Sequence, residues 1–117
     1  MHLKSSLAAM AACGLWACLP ASAGAQAPVD GLALAQRKAC MACHQVDSKR
    51  VGPPLRSVAE RYAGQGDAMV QYLAGKIRSG GRGAWGAVPM PAQSQVSEDE
   101  ARQLAQWILS LPPAQSR

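Results

Sequence analysis

Two thiols and an imidazole lie within five consecutive residues, Cys40-Met41-Ala42-Cys43-His44. This C-x-x-C-H spacing is typical of c-type haem attachment. The two thiols can form thioethers with the two vinyl groups of one porphyrin, and the adjacent imidazole can then bind the iron from one face. The motif therefore predicts one haem c, attached through Cys40 and Cys43, with His44 as an axial ligand of the iron.

Rival interpretations of the C-x-x-C pair find less support in the rest of the sequence. A thioredoxin-like redox pair belongs near a βαβ pattern, which this chain lacks. A zinc site needs further ligands, and after residue 25 the chain has no Cys besides Cys40 and Cys43 and no His besides His44. A chance occurrence stays open, but the helical pattern before the motif and the export signal described below both favour haem.

A second axial ligand is expected farther along the chain, and the methionines are the candidates. Met41 lies inside the attachment motif and cannot reach the opposite face of a haem. Met69 lies in a helical segment, where a methionine usually fills the core. Met90 stands between Pro89 and Pro91 in a loop, and these prolines stiffen the backbone and disfavour helix. We therefore predict Met90 as the distal ligand, the alternative being an exposed loop methionine.

Residues 1–25 have the pattern of a secretory signal peptide. A basic start is followed by the apolar run 7–19 and then by small residues, so that cleavage is expected after Ala23, Ala25 or Ala27. The apolar run is too short to span a membrane, which takes roughly 20 residues. A lipoprotein signal ending at Cys18 is the alternative, although the bulky Trp16 fits it poorly. We expect export to the periplasm and one mature domain, residues 26–117, with no membrane span.

The composition of the mature part limits its function and suggests a cofactor. Without Lys4, eleven Lys and Arg residues face seven acidic residues, a net charge of +4. This mild excess favours encounters with acidic proteins, but it is not the dense basic patch that nucleic-acid binding requires. The mature part has no Phe, two Tyr and two Trp. A core of roughly 90 residues built mainly from small side chains would be thin, and a buried haem would fill it.

Helix and loop signals divide the mature part into four helical segments and two long loops. The predicted helices cover 30–42, 55 or 56 to 62, 67–79 and 97–111, and the predicted loops cover 46–54 and 80–96. The signals are the N-caps Asp30 and Asp67, the capping box from Ser97 to Glu100, the apolar positions Leu32, Ala35, Ala39, Val70, Leu73, Ile77, Ala101, Leu104, Ala105, Ile108 and Leu111, and stops at Gly64, Gly66, Gly80, Gly81, Pro112 and Pro113. No segment alternates like a half-buried strand, so the fold class is predicted to be all-α.

Several runs of the mature chain together resemble class I bacterial cytochrome c-551, also called cytochrome c8. They are Val51-Gly-Pro-Pro54, Val58-Ala-Glu-Arg-Tyr-Ala-Gly64, Lys76-Ile77, Gly83-Ala-Trp-Gly86, Val88-Pro-Met-Pro91 and Val96-Ser-Glu-Asp-Glu-Ala101. The resemblance implies about four short helices wrapped around one low-spin haem. It also implies a periplasmic carrier of single electrons whose partners include nitrite reductase, a terminal oxidase or another cytochrome.

The resemblance also implies roles for residues around the haem. Pro53 would accept the Nδ1 proton of His44 through its carbonyl, and Trp85 and Lys76 would contact the haem propionates. From the residues alone, Trp85 could equally belong to the core and Lys76 could be a surface charge. Two positions depart from the family, since Ala39 replaces the usual Gly before the first cysteine and Gln93 takes the place of an Asn after the ligand Met.

A further departure from the family and the two predicted iron ligands have consequences for packing and function. The first helix lacks the family's usual Phe, and Trp107 on the last helix is our candidate to fill that space. With His44 and Met90 on the iron no open coordination site remains, so we expect a monomeric electron carrier rather than an enzyme, docking partners with help from Lys49 and Arg50. The alternatives are a five-coordinate sensor or ligand-binding haem protein and a haem-bearing subunit of a larger oxidoreductase.

Overall fold

Four short α-helices and one β-hairpin form the fold of residues 30–114, the part of the chain that the computed structural model describes. In chain order the elements are α1 (Gly31–Arg37), a 3₁₀ turn (Cys40–Ala42), α2 (Leu55–Arg61), α3 (Asp67–Ser79), β1 (Gly81–Gly83), β2 (Gly86–Met90) and α4 (Glu98–Leu109). The predicted all-α class is confirmed. The signal peptide, its cleavage positions and Cys18 lie outside the described residues. Within those residues, none of the helices has the length and hydropathy to span a bilayer.

The first predicted helix is shorter than the sequence indicated. Asp30 caps its start as expected, accepting a hydrogen bond from the Ala33 backbone N–H at 3.1 Å. The helix ends at Arg37, because Ala39 adopts a left-handed conformation with φ of +61°, and a separate 3₁₀ turn then begins at Cys40. Of the three apolar positions predicted for this helix, Ala35 is buried, whereas Leu32 is 38% exposed and Ala39 is also exposed. The other buried residues of the helix are Gly31 and Leu34.

Helices α2 and α3 agree closely with their predicted ranges. The loop before α2 was predicted correctly, because Pro53 and Pro54 allow neither helix nor strand before Leu55. The N-cap of α3 differs from the prediction, since Gly66 takes that position with φ of +66° and Asp67 lies in the first turn. There its carboxylate is near the positive end of the helix dipole.

The predicted loop 80–96 contains a β-hairpin that the sequence pattern did not indicate. Strands β1 and β2 pair antiparallel, with Gly81 opposite Met90 and Gly83 opposite Gly86, and the ladder is irregular between Gly81 and Gly83. Residues 81–89 are all exposed, so no alternation of buried and exposed side chains marks the strands. The hairpin carries Met90 at its end.

Helix α4 packs against α1, α2 and α3 and contributes buried residues to the core. Ser97 and Glu100 form the predicted capping box, and Ala101, Leu104, Ala105 and Ile108 are buried on one face as expected. The helix ends at Leu109, two residues before the predicted Leu111.

The side chain of Trp107 on α4 packs against the start of α1. The Trp107 side chain lies directly against Gly31, so that a Cβ atom on Gly31 would be only 2.5 Å from Trp107 Cδ1. Glycine at the start of α1 therefore makes room for the indole. The packing role expected for Trp107 agrees with this contact.

Candidate haem site

One cleft of about 470 Å³ opens between the 3₁₀ turn, the loop 45–54, α3 and the hairpin. All seven predicted site residues line it: Cys40, Cys43, His44, Pro53, Lys76, Trp85 and Met90. Core side chains form the rest of its wall, among them Leu55, Val58, Leu73, Ile77, Leu104, Trp107 and Ile108. A mainly apolar cleft of this size with a few polar groups at defined places is typical of a cofactor site.

The imidazole of His44 is oriented by the loop that follows it. Its Nδ1 lies 2.9 Å from the Pro53 carbonyl oxygen. A carbonyl can only accept a hydrogen bond, so Nδ1 carries the proton and Nε2 keeps its lone pair for a metal. The side chain is half-buried, which leaves it accessible from the cleft.

Backbone hydrogen bonds hold this loop closely against the attachment motif. The Gly52 N–H donates to the Cys43 carbonyl at 2.7 Å, and the Leu55 N–H donates to the Gln45 carbonyl at 2.9 Å. A Cβ atom on Gly52 would lie 2.5 Å from His44 Cε1 and 2.8 Å from Nδ1. Only a glycine therefore allows the backbone to approach the imidazole this closely.

The two cysteines differ in their surroundings. Cys40 is half-buried and packs against the core, whereas Cys43 is exposed. Burial raises the pKa of the Cys40 thiol, with a smaller opposing effect from a backbone hydrogen bond. Both side chains line the cleft as part of one tight turn, in which the His44 N–H donates to the Cys40 carbonyl at 3.0 Å.

Met90 reaches the cleft through a backbone that the end of α3 supports. Gly80 has a φ of +71°, and a Cβ atom there would collide with the Met90 carbonyl and lie 2.8 Å from the Ala92 nitrogen. The Gln93 N–H donates to the Ile77 carbonyl at 3.1 Å, which ties the segment after Met90 to the same helix. These contacts with the C-terminal end of α3, together with the pairing of Met90 with Gly81, hold the backbone of the proline-flanked methionine.

The side chain of Gln93 supports this segment through the backbone. Its amide donates to the Pro91 carbonyl at 2.8 Å, and its oxygen accepts a hydrogen bond from the Gln95 amide at 2.9 Å. Gln93 thus stabilises the turn that follows Met90.

Aromatic and basic side chains surround Trp85 at the other end of the cleft. The ring centroid of Tyr62 is 6.4 Å from that of Trp85 and 5.8 Å from that of Tyr72. Lys76 Nζ lies 5.5 Å from the centre of the Tyr72 ring, and Arg61 Cζ lies 4.6 Å from that of Trp85. Burial raises the pKa of the Tyr62 phenol, with Tyr72 adding to the rise. This end of the cleft is therefore suited to an anionic group.

Several residues that shape the site were not predicted from the sequence. Gly52 and Gly80 allow two close backbone approaches, and Arg61 and Tyr62 contact Trp85 from the end of α2. Arg82 also lines the cleft. In the sequence the two glycines indicate only turns, as parts of Gly-Pro and Gly-Gly pairs. The contact of Arg61 with Trp85 could not be predicted because the two residues are far apart in the chain.

Comparison with known proteins agrees with this geometry. The sequence model of the cytochrome c family matches residues 28–112. Cytochrome c-552 of Hydrogenobacter thermophilus is 60% identical over 78 residues, which are 67% of this chain and 78% of the relative. Cytochrome c-551 of Pseudomonas aeruginosa is 47% identical over 81 residues, which are 69% of this chain and 76% of the relative.

A solved structure with the same architecture is the crystal structure of Nitrosomonas europaea cytochrome c552. It superposes with a TM-score of 0.67 at 48% sequence identity, covering 69% of this chain and 99% of that one. Proteins of this family hold one covalently bound haem c, and the thiols, imidazole and apolar wall of the cleft fit that group. The chain belongs to the cytochrome c family, as a class I bacterial cytochrome c that carries one haem c and transfers electrons with redox partners rather than acting as an enzyme.

Proposed function

We propose that this protein shuttles single electrons in the periplasm through a low-spin haem c whose iron is held by His44 and Met90. Cys40 and Cys43 form the thioethers. When bound, the haem supplies an iron atom that alternates between two oxidation states. The main support for this proposal is that His44 and Met90 line the same cleft. The Nδ1 atom of His44 is hydrogen-bonded to Pro53, and the backbone of Met90 is held by the end of α3.

The surroundings of the two ligands support this assignment. The carbonyl of Pro53 holds the imidazole in the tautomer that leaves Nε2 available, and a hydrogen bond of this kind makes the ligand more basic. The backbone around Met90 is held by the hydrogen bond from the Gln93 N–H to the Ile77 carbonyl and by the close approach of Gly80 to the Met90 carbonyl, so this segment is already in place at the cleft. A thioether opposite the imidazole raises the reduction potential and leaves no open position for a substrate.

The optical spectrum of the oxidised holoprotein tests this assignment. We expect a low-spin spectrum with the weak sulfur-to-iron charge-transfer band, and we expect Met90→Ala to lose that band. Met69→Ala is the matched control, because Met69 lies on α3 against the core, and it should keep the band. A high-spin wild-type spectrum would contradict the proposed ligation and favour a five-coordinate sensor. A band that survives in Met90→Ala would also contradict it, because another sulfur would then bind the iron.

The other end of the cleft is proposed to bind the haem propionates. Trp85 would donate its indole N–H to one carboxylate, and Lys76 would supply a nearby positive charge. Both side chains line the cleft, and the ammonium of Lys76 lies 5.5 Å from the centre of the Tyr72 ring. In Trp85→Phe, which keeps a ring but lacks the donor, we expect a changed reduction potential, and an unchanged potential would exclude the hydrogen bond.

Redox partners are proposed to dock at the mouth of this cleft, with nitrite reductase, a terminal oxidase or another cytochrome as candidates. Lys49 and Arg82 line the cleft, Arg50 is exposed beside it, and among the described lining residues there is no carboxylate. An acidic partner surface would therefore be attracted, and electron-transfer rates should fall as ionic strength rises. Sedimentation of the holoprotein should show a monomer.

Export and processing can be tested by the mass of the protein recovered from the periplasm. We expect removal of residues 1–25, and the mass distinguishes cleavage after Ala23, Ala25 or Ala27. The product, residues 26–117, is proposed as the monohaem domain. A lipid-modified product beginning at Cys18, or a holoprotein that purifies only as part of a larger complex, would contradict the proposal of a free periplasmic carrier.

A further inference from the structure

We propose that Arg61 is a positioning residue, which fixes Trp85 over the cleft by holding the turn of the hairpin. Two contacts join Arg61 to consecutive residues of that turn. Its guanidinium carbon lies 4.6 Å from the centre of the Trp85 ring, and its Nη1 donates to the Ala84 carbonyl at 2.6 Å. The same side chain therefore holds the indole face and the backbone next to it.

The hairpin needs such an external contact to hold Trp85 in one place. A two-stranded hairpin is at best marginally stable on its own, and residues 81–89 are exposed. Gly83 and Gly86, which flank the turn, have φ of +88° and +117°, and a Cβ atom on either would contact nothing within 4 Å. Trp85 itself is 41% exposed, so burial alone does not determine its orientation.

Helix α2 provides the fixed end of this connection. Arg61 is its last residue, and the next residue, Tyr62, packs against the core and meets the Trp85 ring edge-on at an interplanar angle of 78°. The guanidinium also lies 5.6 Å from the centre of the Tyr62 ring. A planar guanidinium can stack on an aromatic face and donate a hydrogen bond sideways at the same time, which an ammonium cannot do as well.

The functional consequence rests on the proposed propionate contact of Trp85. If Arg61 is removed, the turn can move and the indole N–H is presented to its acceptor for a smaller fraction of time. In the reduced holoprotein we expect Arg61→Gln to accelerate solvent exchange of the Trp85 indole hydrogen about tenfold, the factor for losing one cation–π contact and one hydrogen bond. Arg61→Lys, which keeps the charge, should lie between this variant and wild type.

Two controls separate positioning from charge and from general stability. Arg37→Gln removes the same charge from an exposed site on α1 and should leave the exchange rate unchanged. The change in reduction potential caused by Arg61→Gln should be larger in the wild-type background than in Trp85→Phe. Equal changes in the two backgrounds would show that Arg61 acts only through its charge, and would overturn the proposal. Should Arg61→Gln fail to fold, Arg61→Lys, which keeps the charge but loses the planar guanidinium, tests positioning alone: faster indole exchange than in wild type supports the proposal, and an unchanged rate overturns it.

The experiment also separates this inference from the proposed function. A wild-type indole that exchanges freely would contradict the propionate contact, and the nuclear Overhauser contacts between the Tyr62 and Trp85 rings would then decide the inference. Loss of these ring contacts in Arg61→Gln would support positioning by Arg61, and their persistence would overturn the inference. A protected wild-type indole that stays equally protected in Arg61→Gln and Arg61→Lys would overturn the inference while leaving the His44 and Met90 assignment intact.

Discussion

The backbone of Gly52 lies against the imidazole of His44, so closely that a Cβ atom at position 52 would be 2.5 Å from Cε1, 2.8 Å from Nδ1 and 3.0 Å from Nε2. The adjacent Pro53 carbonyl accepts a hydrogen bond from Nδ1 at 2.9 Å. Two consecutive residues thus hold the ring, one by contact and one by a hydrogen bond. The orientation of the imidazole is therefore set by the loop as much as by the attachment motif.

Gly52→Ala should displace this imidazole and weaken its hydrogen bond to Pro53. We expect a loss of stability of about 1–3 kcal/mol from overpacking, measured by denaturant unfolding of the holoprotein. A less basic imidazole should also raise the reduction potential. Gly75→Ala is the matched control, since its Cβ would meet nothing within 4 Å and alanine favours helix, so it should stabilise by roughly 0.5–1 kcal/mol. Equal behaviour of the two variants would exclude the steric role of Gly52.

Ala39→Gly should stabilise the protein, because Ala39 has a φ of +61° directly before Cys40. A left-handed conformation costs a residue with a Cβ atom roughly 1–2 kcal/mol, part of which is offset by the greater freedom of glycine in the unfolded chain. We expect a net gain of about 1 kcal/mol in the free energy of unfolding. Ala68→Gly, on an exposed helical position of α3, should instead destabilise. If Ala39→Gly destabilises as well, the left-handed turn carries no strain.

Trp107→Ala should remove the packing between α1 and α4 and lower the free energy of unfolding by roughly 3–5 kcal/mol. Gly31→Ala should also destabilise, because its new methyl group would overlap the Trp107 side chain. In the double variant the methyl group on residue 31 has room, so the loss of stability should be smaller than the sum of the losses in the two single variants. Strict additivity in thermal or denaturant unfolding would show that the two residues are not in contact.

Glu100 should make stability depend on pH at acid values. Its pKa is lowered from the ordinary 4.5, mainly by the hydrogen bond from the Ser97 N–H and further by Lys38, whose ammonium is 2.9 Å away. A carboxyl with a lowered pKa stabilises the fold above its ordinary pKa, and this contribution is lost as pH falls through the folded-state pKa. Glu100→Gln should therefore be less stable than wild type at neutral pH, and the difference should shrink as the pH falls below about 4.

Asp99→Asn is the control for this prediction, since it removes a charge from the same turn of α4. We expect the free energy of unfolding of Asp99→Asn at neutral pH to differ less from wild type than that of Glu100→Gln, measured by unfolding across a series of buffers. A Glu100→Gln variant whose deficit stays constant down to pH values well below the ordinary pKa would contradict the role of the carboxylate charge.

The sequence by itself determined the chemistry of the site and most of the helices. The motif from Cys40 to His44 indicates haem attachment because the spacing of its thiols and imidazole is contained within five consecutive residues. The capping box from Ser97 to Glu100 and the prolines around Met90 likewise act over a few neighbouring residues. Local signals of this kind can be read without knowing where the chain goes next.

Only the tertiary structure decided how the parts of the site meet. The first helix ends before Ala39 although the local residues favour helix. The hairpin has no buried face, so its strands show no alternation of apolar and polar residues. The approach of Gly52 to His44 and the contact of Arg61 with Trp85 join distant positions. Such contacts depend on how helices and loops pack together, and packing is a property of the whole chain that no short run of residues encodes.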